Sequence, residues 1–233
     1  MLYGLDPLYF AFLAPALLLT AWASWKVHHT YAEAREIPAS SGFNGARTVE
    51  AILARYGRTP VRIEVTQGLL SDHYDPDRKV LRLSPEVYEG RSLAALGIAA
   101  HEAGHALQDD TGYALLKLRN GIVPLAVWGG NLSWILIALG LALASLNLVM
   151  VGIAAFSLSV VFQLVNLPVE FDASRRARQV LRSLGLVTPG EEPIVRQVLS
   201  AAAMTYVAAT LTSVLTLVYY LYRAGVFGSH DRE

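Results

Sequence analysis

Cysteine is absent from the 233-residue chain, which excludes disulfide bonds and thiolate metal ligands without identifying a compartment. Charge is scarce. Asp, Glu, Lys and Arg make up 16% of the residues, where a soluble domain carries about 25%. Basic and acidic residues balance at 19 each, for a net charge of zero, so nothing points to a nucleic-acid partner. No internal repeat and no low-complexity tract interrupts the chain.

Hydrophobic residues supply 54% of the sequence, and they are concentrated in runs. About 20 apolar residues are needed to cross ~30 Å of hydrocarbon. Four segments qualify: 7–25, 121–143, 147–168 and 198–222. The first three carry no charge, so the sequence predicts four transmembrane helices. "AWAS" at 21–24 looks like a signal-peptidase site, but residues 1–6 lack a basic start and include the acidic Asp6, so this helix is expected to be retained. Between the spans lie two polar stretches, 26–120 and 169–197, which hold 12 and five of the basic residues. These are expected to form a small domain and a helical segment.

Only residues 144–146 separate the second and third spans, which therefore form a membrane hairpin. Both polar stretches then emerge on one face and both termini on the other. Lys26, Lys117, Arg119, Arg175, Arg176 and Arg178 flank spans on the polar face, against Arg223 and Arg232 opposite. The basic side is cytoplasmic, so the polar domain is expected there and the termini on the outer face. Asn131 and Gln163 lie within spans, where polar groups usually face the bundle.

Within the polar domain, "NGARTVEAILARY" at 44–56 reads as an amphipathic helix capped by Asn44 and ended by Gly57. "VRIEV" at 61–65 alternates like a half-buried strand. "HYDPDRKVLRL" at 73–83 reads as a hairpin turning at Asp75-Pro76-Asp77. "SPEVYEG" makes a helical turn with Pro at its first position, and a longer helix is expected from about Ser92 to Asp109. The fold class is α+β and mostly helical: a four-span bundle carrying a small domain.

That longer helix contains His101, Glu102 and His105 in the pattern H-E-x-x-H. Positions i and i+4 share a helix face, so two imidazoles reach one ion. Neutral imidazole is a good zinc ligand, and a third protein ligand leaves the fourth position for water. Glu102, about 100° around the helix from His101, is placed to take a proton from that water. Two histidines inside a helix are a costly way to build a core. Chance alone can produce the four-residue pattern, so its context carries weight. The surrounding "LAALGIAAHEAGHAL" is small and apolar, suited to central packing, with Ala103 and Gly104 expected to leave room beside the metal.

The third ligand is expected on a second helix of the same face. His28 and His29 adjoin the first span, and His230 belongs to the opposite face. That leaves His73 and the acids. Glu170, directly after the third span in "LPVEFDASRRARQVL", is the first choice. Asp172 is the alternative, although two residues along it points away. Pairing of Glu170 with Arg175 or Arg176 would make it merely structural. Ser174 shares the Glu170 face and suits a partner for a ligand side chain. Arg175, Arg176 and Arg178 read as headgroup anchors. His73 and Tyr74, in "LSDHYDP", lie where a strand could pair with an extended substrate. Either is a candidate donor to an oxyanion, and an Asx-rich turn is the plainer reading.

"LDPLYF", "SSGFNGA", "LSDHYDP", "VLRLSPEVYEGRSLAALGIAAHEAGHALQ", "GYALLKLRN", "LPVEFDASRRA" and "AAAMTYVAA" together resemble the YugP-like neutral zinc metallopeptidases, prokaryotic membrane proteins, over nearly the whole chain. The resemblance implies a zincin-like domain with one Zn2+ held by His101, His105 and Glu170, and Glu102 as general base. It also implies a polypeptide substrate and the inner membrane as location. The more distant HtpX and CAAX-protease types place Asp four residues after the third ligand. Ser174 stands there instead, which leaves the partner that orients a ligand histidine unassigned.

Asp109 and Asp110 at the end of the H-E-x-x-H helix are too costly in hydrocarbon for residues 90–110 to be a span. The metal is therefore expected near the cytoplasmic membrane surface rather than inside the bilayer. The leading function is a membrane-anchored zinc endopeptidase, in a role such as membrane protein quality control. A zinc hydrolase of a non-protein amide and a non-catalytic membrane scaffold are the alternatives. The intact Glu102 weighs against the scaffold.

Overall fold

The computed structural model describes residues 7–57, 59–68 and 71–226. Asp6, the start of "LDPLYF", His230 and Arg232 lie outside the described residues. The chain divides into two compact units. One comprises residues up to Trp22, Leu118–Leu167 and the chain from Thr205; the other comprises Ala23–Lys117 and Pro168–Met204.

Among the described residues, four helices are long and apolar enough to cross a membrane: α1 (Pro7–Arg35), α5 (Ala114–Ala142), α6 (Leu146–Ser183) and α7 (Glu192–Arg223). The parts of these helices in the first unit turn large apolar side chains outward. Leu18 is 72% exposed, Trp128 76% and Ile135 57%. Water would make such a surface untenable, while lipid makes it ordinary. Gln163 is half-buried and its carbonyl accepts from Thr210 Oγ1. Asn131, in contrast, lies on the outside of α5 rather than facing its neighbours. The buried amide is that of Asn166, which accepts from Arg119 Nε at 3.1 Å.

The expected helical segment 169–197 is in fact two helix ends and a turn. α6 continues through Pro168 without a break to Ser183. It then closes at Gly185, whose φ of 64° is the left-handed conformation of a helix C-terminus. Leu186 N donates back to Leu181 O at 2.9 Å. α7 starts at Glu192.

In the second unit, α2 (Gly45–Tyr56) begins at Asn44, whose side chain accepts from Arg47 N, and ends at Gly57. A three-stranded sheet has the order β1-β3-β2: β1 (Arg62–Val65) runs parallel to β3 (Val80–Leu83), and β2 (His73–Asp75) antiparallel. The hairpin turns where Asp75 Oδ1 accepts from the backbone of Asp77 and Arg78, the side-chain turn that Asp favours. α3 (Pro85–Tyr88) is a single turn. Its leading residue, Ser84, is held through N and Oγ by Asp72. α4 (Leu93–Asp110) starts from Ser92, whose Oγ accepts from Ala95 N at 3.2 Å.

α4 is the centre of this unit. Leu93, Leu96, Ala99, Ala100 and Ala103 are fully buried against Val49 and Ile52 of α2, Leu81 and Leu83 of β3, and Ala177 and Leu181 of α6. Its small side chains let other elements approach on several faces, so the helix that carries the H-E-x-x-H pattern is the best-anchored element of the unit.

Candidate metal centre

α4 and α6 each present chemistry to the other. On α4, four residues bring His101 and His105 to the same face, and their rings stand edge to face with centroids 4.8 Å apart. On α6, Glu170 is 3% exposed, beyond the apolar run that ends at 168. Its Oε2 lies 3.2 Å from His101 Nε2 and 3.6 Å from His105 Nε2. One donor atom from each of these residues falls within 4.8 Å of the others. The two helices reach this proximity because Gly104 has no side chain: a Cβ there would stand 2.7 Å from the carbonyl oxygen of Ala173. Gly104 therefore creates the helix crossing, rather than leaving room beside the metal.

The donor set suits zinc. Two imidazole nitrogens and one carboxylate oxygen are three of its preferred ligands, and bonds of 2.0–2.1 Å in a tetrahedron separate ligand atoms by about 3.3–3.4 Å. The observed separations of 3.2 and 3.6 Å bracket that value. In both rings Nε2 faces the carboxylate while Nδ1 has its own partner. Ser174 Oγ is 3.1 Å from His101 Nδ1, and Gln108 Oε1 is 3.0 Å from His105 Nδ1.

Charge is disposed accordingly. Burial works to raise the Glu170 carboxyl, but hydrogen bonds and charge from the two imidazoles outweigh it and hold Glu170 well below the usual carboxylate range. Burial likewise opposes a charged His105, and Glu170 with Glu102 overcomes it, lifting the imidazole above its ordinary value. The pocket thus favours positive charge at this point, which a cation satisfies and which protons compete for as pH falls. Glu102 is 8% exposed on the same helix, close enough for its charge to act on His105.

Asp172 is not a member of the triad. It is 5% exposed and pairs with Arg175 and with Arg176 Nε, the latter at 2.6 Å. These two arginines are thereby fixed to α6, and it is Asp172 rather than Glu170 that they neutralise. His73 and Tyr74 lie on β2. His73 Nδ1 bonds to Ser71 O at 2.8 Å and its Nε2 lies 3.3 Å from an Arg82 nitrogen. Tyr74 Oη donates to Asp109 Oδ2 at 2.7 Å. Burial and that bond push its hydroxyl far above the usual phenol range, so Tyr74 remains a proton donor at any ordinary pH. The residue the sequence reading passed over is Gln108. Its signal was available in its spacing, three residues after His105 on the same face.

A family model described as "Putative neutral zinc metallopeptidase" matches residues 9–225. The chain is 46% identical over 213 residues to a protein of Bacillus subtilis (strain 168) named "Putative membrane protease YugP", covering 91% of this chain and 95% of that one. No solved structure matches the chain.

Proposed function

The chain belongs to the neutral zinc metallopeptidase family, and from that membership we propose that it is a membrane-anchored zinc endopeptidase. The observation that carries the proposal is the convergence of His101, His105 and Glu170 on one point, with Glu102 beside them on the same helix. Each histidine would offer Nε2 and Glu170 a carboxylate oxygen. A zinc ion held there supplies Lewis acidity, polarising a carbonyl oxygen and bringing the pKa of water down to about 7. Glu102 accepts the proton of the attacking water on its carboxylate and passes it to the departing amine nitrogen. The near-complete burial of Glu102 and Glu170 keeps bulk water from competing for either carboxylate.

β2 is an edge of the sheet and joins α4 through the Tyr74–Asp109 bond. An extended peptide adding to this edge would lie alongside the triad's helix, with its backbone supplying the hydrogen bonds. His73 and Tyr74 are proposed donors to the developing oxyanion. Each would exchange a present partner, Arg82 or Asp109, for the substrate. The charge asymmetry of the span ends supports a cytoplasmic position for the polar unit. Substrates would be membrane-associated or unfolded chains, as quality control requires.

The test is casein hydrolysis by purified protein, with and without a zinc chelator, beside Glu102→Gln. Cleavage that the chelator abolishes and the variant lacks is expected. Chelator-insensitive cleavage, or full activity in Glu102→Gln, overturns the protease reading. Hydrolysis confined to lipid or small-molecule amides would move the activity to that class.

A further inference from the structure

Gln108 is fully buried and hydrogen-bonded at both ends of its amide. Oε1 lies 3.0 Å from His105 Nδ1. Nε2 lies 2.9 Å from the carbonyl oxygen of Val169 and 2.9 Å from Asp172 Oδ2. The Val169 carbonyl can only accept, so the NH2 group must face α6 and the amide oxygen must face the histidine. That oxygen can only accept in turn. A neutral His105 therefore carries its one proton on Nδ1, which leaves the Nε2 lone pair for a metal ion.

The far end of this chain is also fixed. Asp172 is itself held in place by Arg175 and by Arg176 Nε, the latter at 2.6 Å. The order runs from the arginines through Asp172 and Gln108 to His105, each group determining the orientation of the next. His101 has a different arrangement, since Ser174 Oγ beside its Nδ1 is able to donate or accept. The fixed tautomer belongs to His105.

We propose that Gln108 is a positioning residue for the metal site, setting the His105 tautomer and ring orientation through its amide oxygen while Asp172 and Val169 fix the amide. The proposal rests on the assignment of His101, His105 and Glu170 as ligands. The partner that orients a ligand histidine, left open by Ser174, is for His105 an amide oxygen of its own helix backed by a carboxylate from α6.

A purely structural role is distinguishable, because the amide also ties α4 to α6. Gln108→Leu removes both functions. Gln108→Glu keeps an acceptor oxygen at His105 but loses the donation to Val169 and sets a second carboxylate against Asp172. The experiment is zinc competition against a chelator of known affinity, on the full chain in detergent, for wild type and both variants. Losing such a partner typically weakens metal affinity about 10–100-fold. Gln108→Leu is expected to lose that much, and Gln108→Glu to recover most of it. Leu at wild-type affinity overturns the proposal, and so does Glu binding no better than Leu, since a helix tie alone predicts Glu to be the worse. If Gln108→Glu does not fold, Gln108→Glu/Asp172→Asn removes the facing carboxylate and is judged by the same criterion. On the zinc-loaded wild type, histidine NMR is expected to show His105 protonated on Nδ1 and bound through Nε2; the reverse assignment overturns the proposal. A wild-type chain that takes up no zinc defeats the ligand assignment itself, a failure separate from any ranking of the variants.

Discussion

Gly104 of α4 and Ala173 of α6 meet backbone to backbone, with the carbonyl oxygen of Ala173 only 2.7 Å from where a Cβ on residue 104 would stand. His105 is the neighbour of one, Glu170 lies three residues before the other, and the distance between the helices at this crossing sets the distance between those two side chains.

Gly104→Ala is therefore expected to harm the protein. In an open helix alanine gains up to about 1 kcal/mol over glycine. Here it forces the helices apart at a carbonyl that cannot rotate away, an overpacking cost of about 1–3 kcal/mol. Thermal unfolding should show a lower Tm, and zinc competition a weaker affinity. An unchanged or raised Tm would contradict the crossing.

Glu102→Gln should separate binding from chemistry. The amide cannot take a proton, so cleavage should fall about 100- to 10,000-fold. Metal analysis should find zinc content unchanged, because Glu102 is not among the ligands. Loss of zinc together with activity would make Glu102 a ligand rather than a base.

Part of this was legible in one dimension. H-E-x-x-H on a helix, the cap at Asn44, the Asp75 turn and the four apolar runs depend on neighbours within four residues or on bulk hydropathy. Glu170 was reachable by asking which acid emerges next to the right span. What escaped depends on long-range pairing. The parallel partnership of β1 and β3 brings together segments separated by a hairpin arm. Gly104 looked like a spacer because its partner, Ala173, is 69 residues away. Asp172 was weighed as a ligand, and Arg175 and Arg176 as headgroup anchors, since only the fold shows them neutralising one another. Gln108 has no chemistry of its own in sequence. It acquires a role once Val169 and Asp172 determine its orientation.

Acid should loosen the junction before α7. Glu191 accepts from Ser40 N and Oγ and from Thr188 N and Oγ1. Burial works to raise its carboxyl, and the bonds from Thr188 and Ser40 outweigh it, so its folded value is depressed. A depressed carboxylate stabilises the fold above its unfolded pKa of about 4.3, and this contribution is lost as pH falls through the folded value. Unfolding of Glu191→Gln followed from pH 7 to pH 3 should show a smaller fall in stability than wild type. Parallel curves would remove Glu191 from the linkage.

The orientation predicts reporter behaviour. A reporter active only in the periplasm should work when fused after Glu233 and fail when fused near residue 110. The opposite pattern reverses the topology drawn from Lys26, Lys117 and the arginines after the third span.

The most direct test of the metal centre is zinc bound per chain, measured on purified wild type and on Glu170→Ala. One zinc per wild-type chain, with affinity sharply reduced in the variant, is the predicted result. Glu170→Ala binding one zinc at wild-type affinity would contradict it.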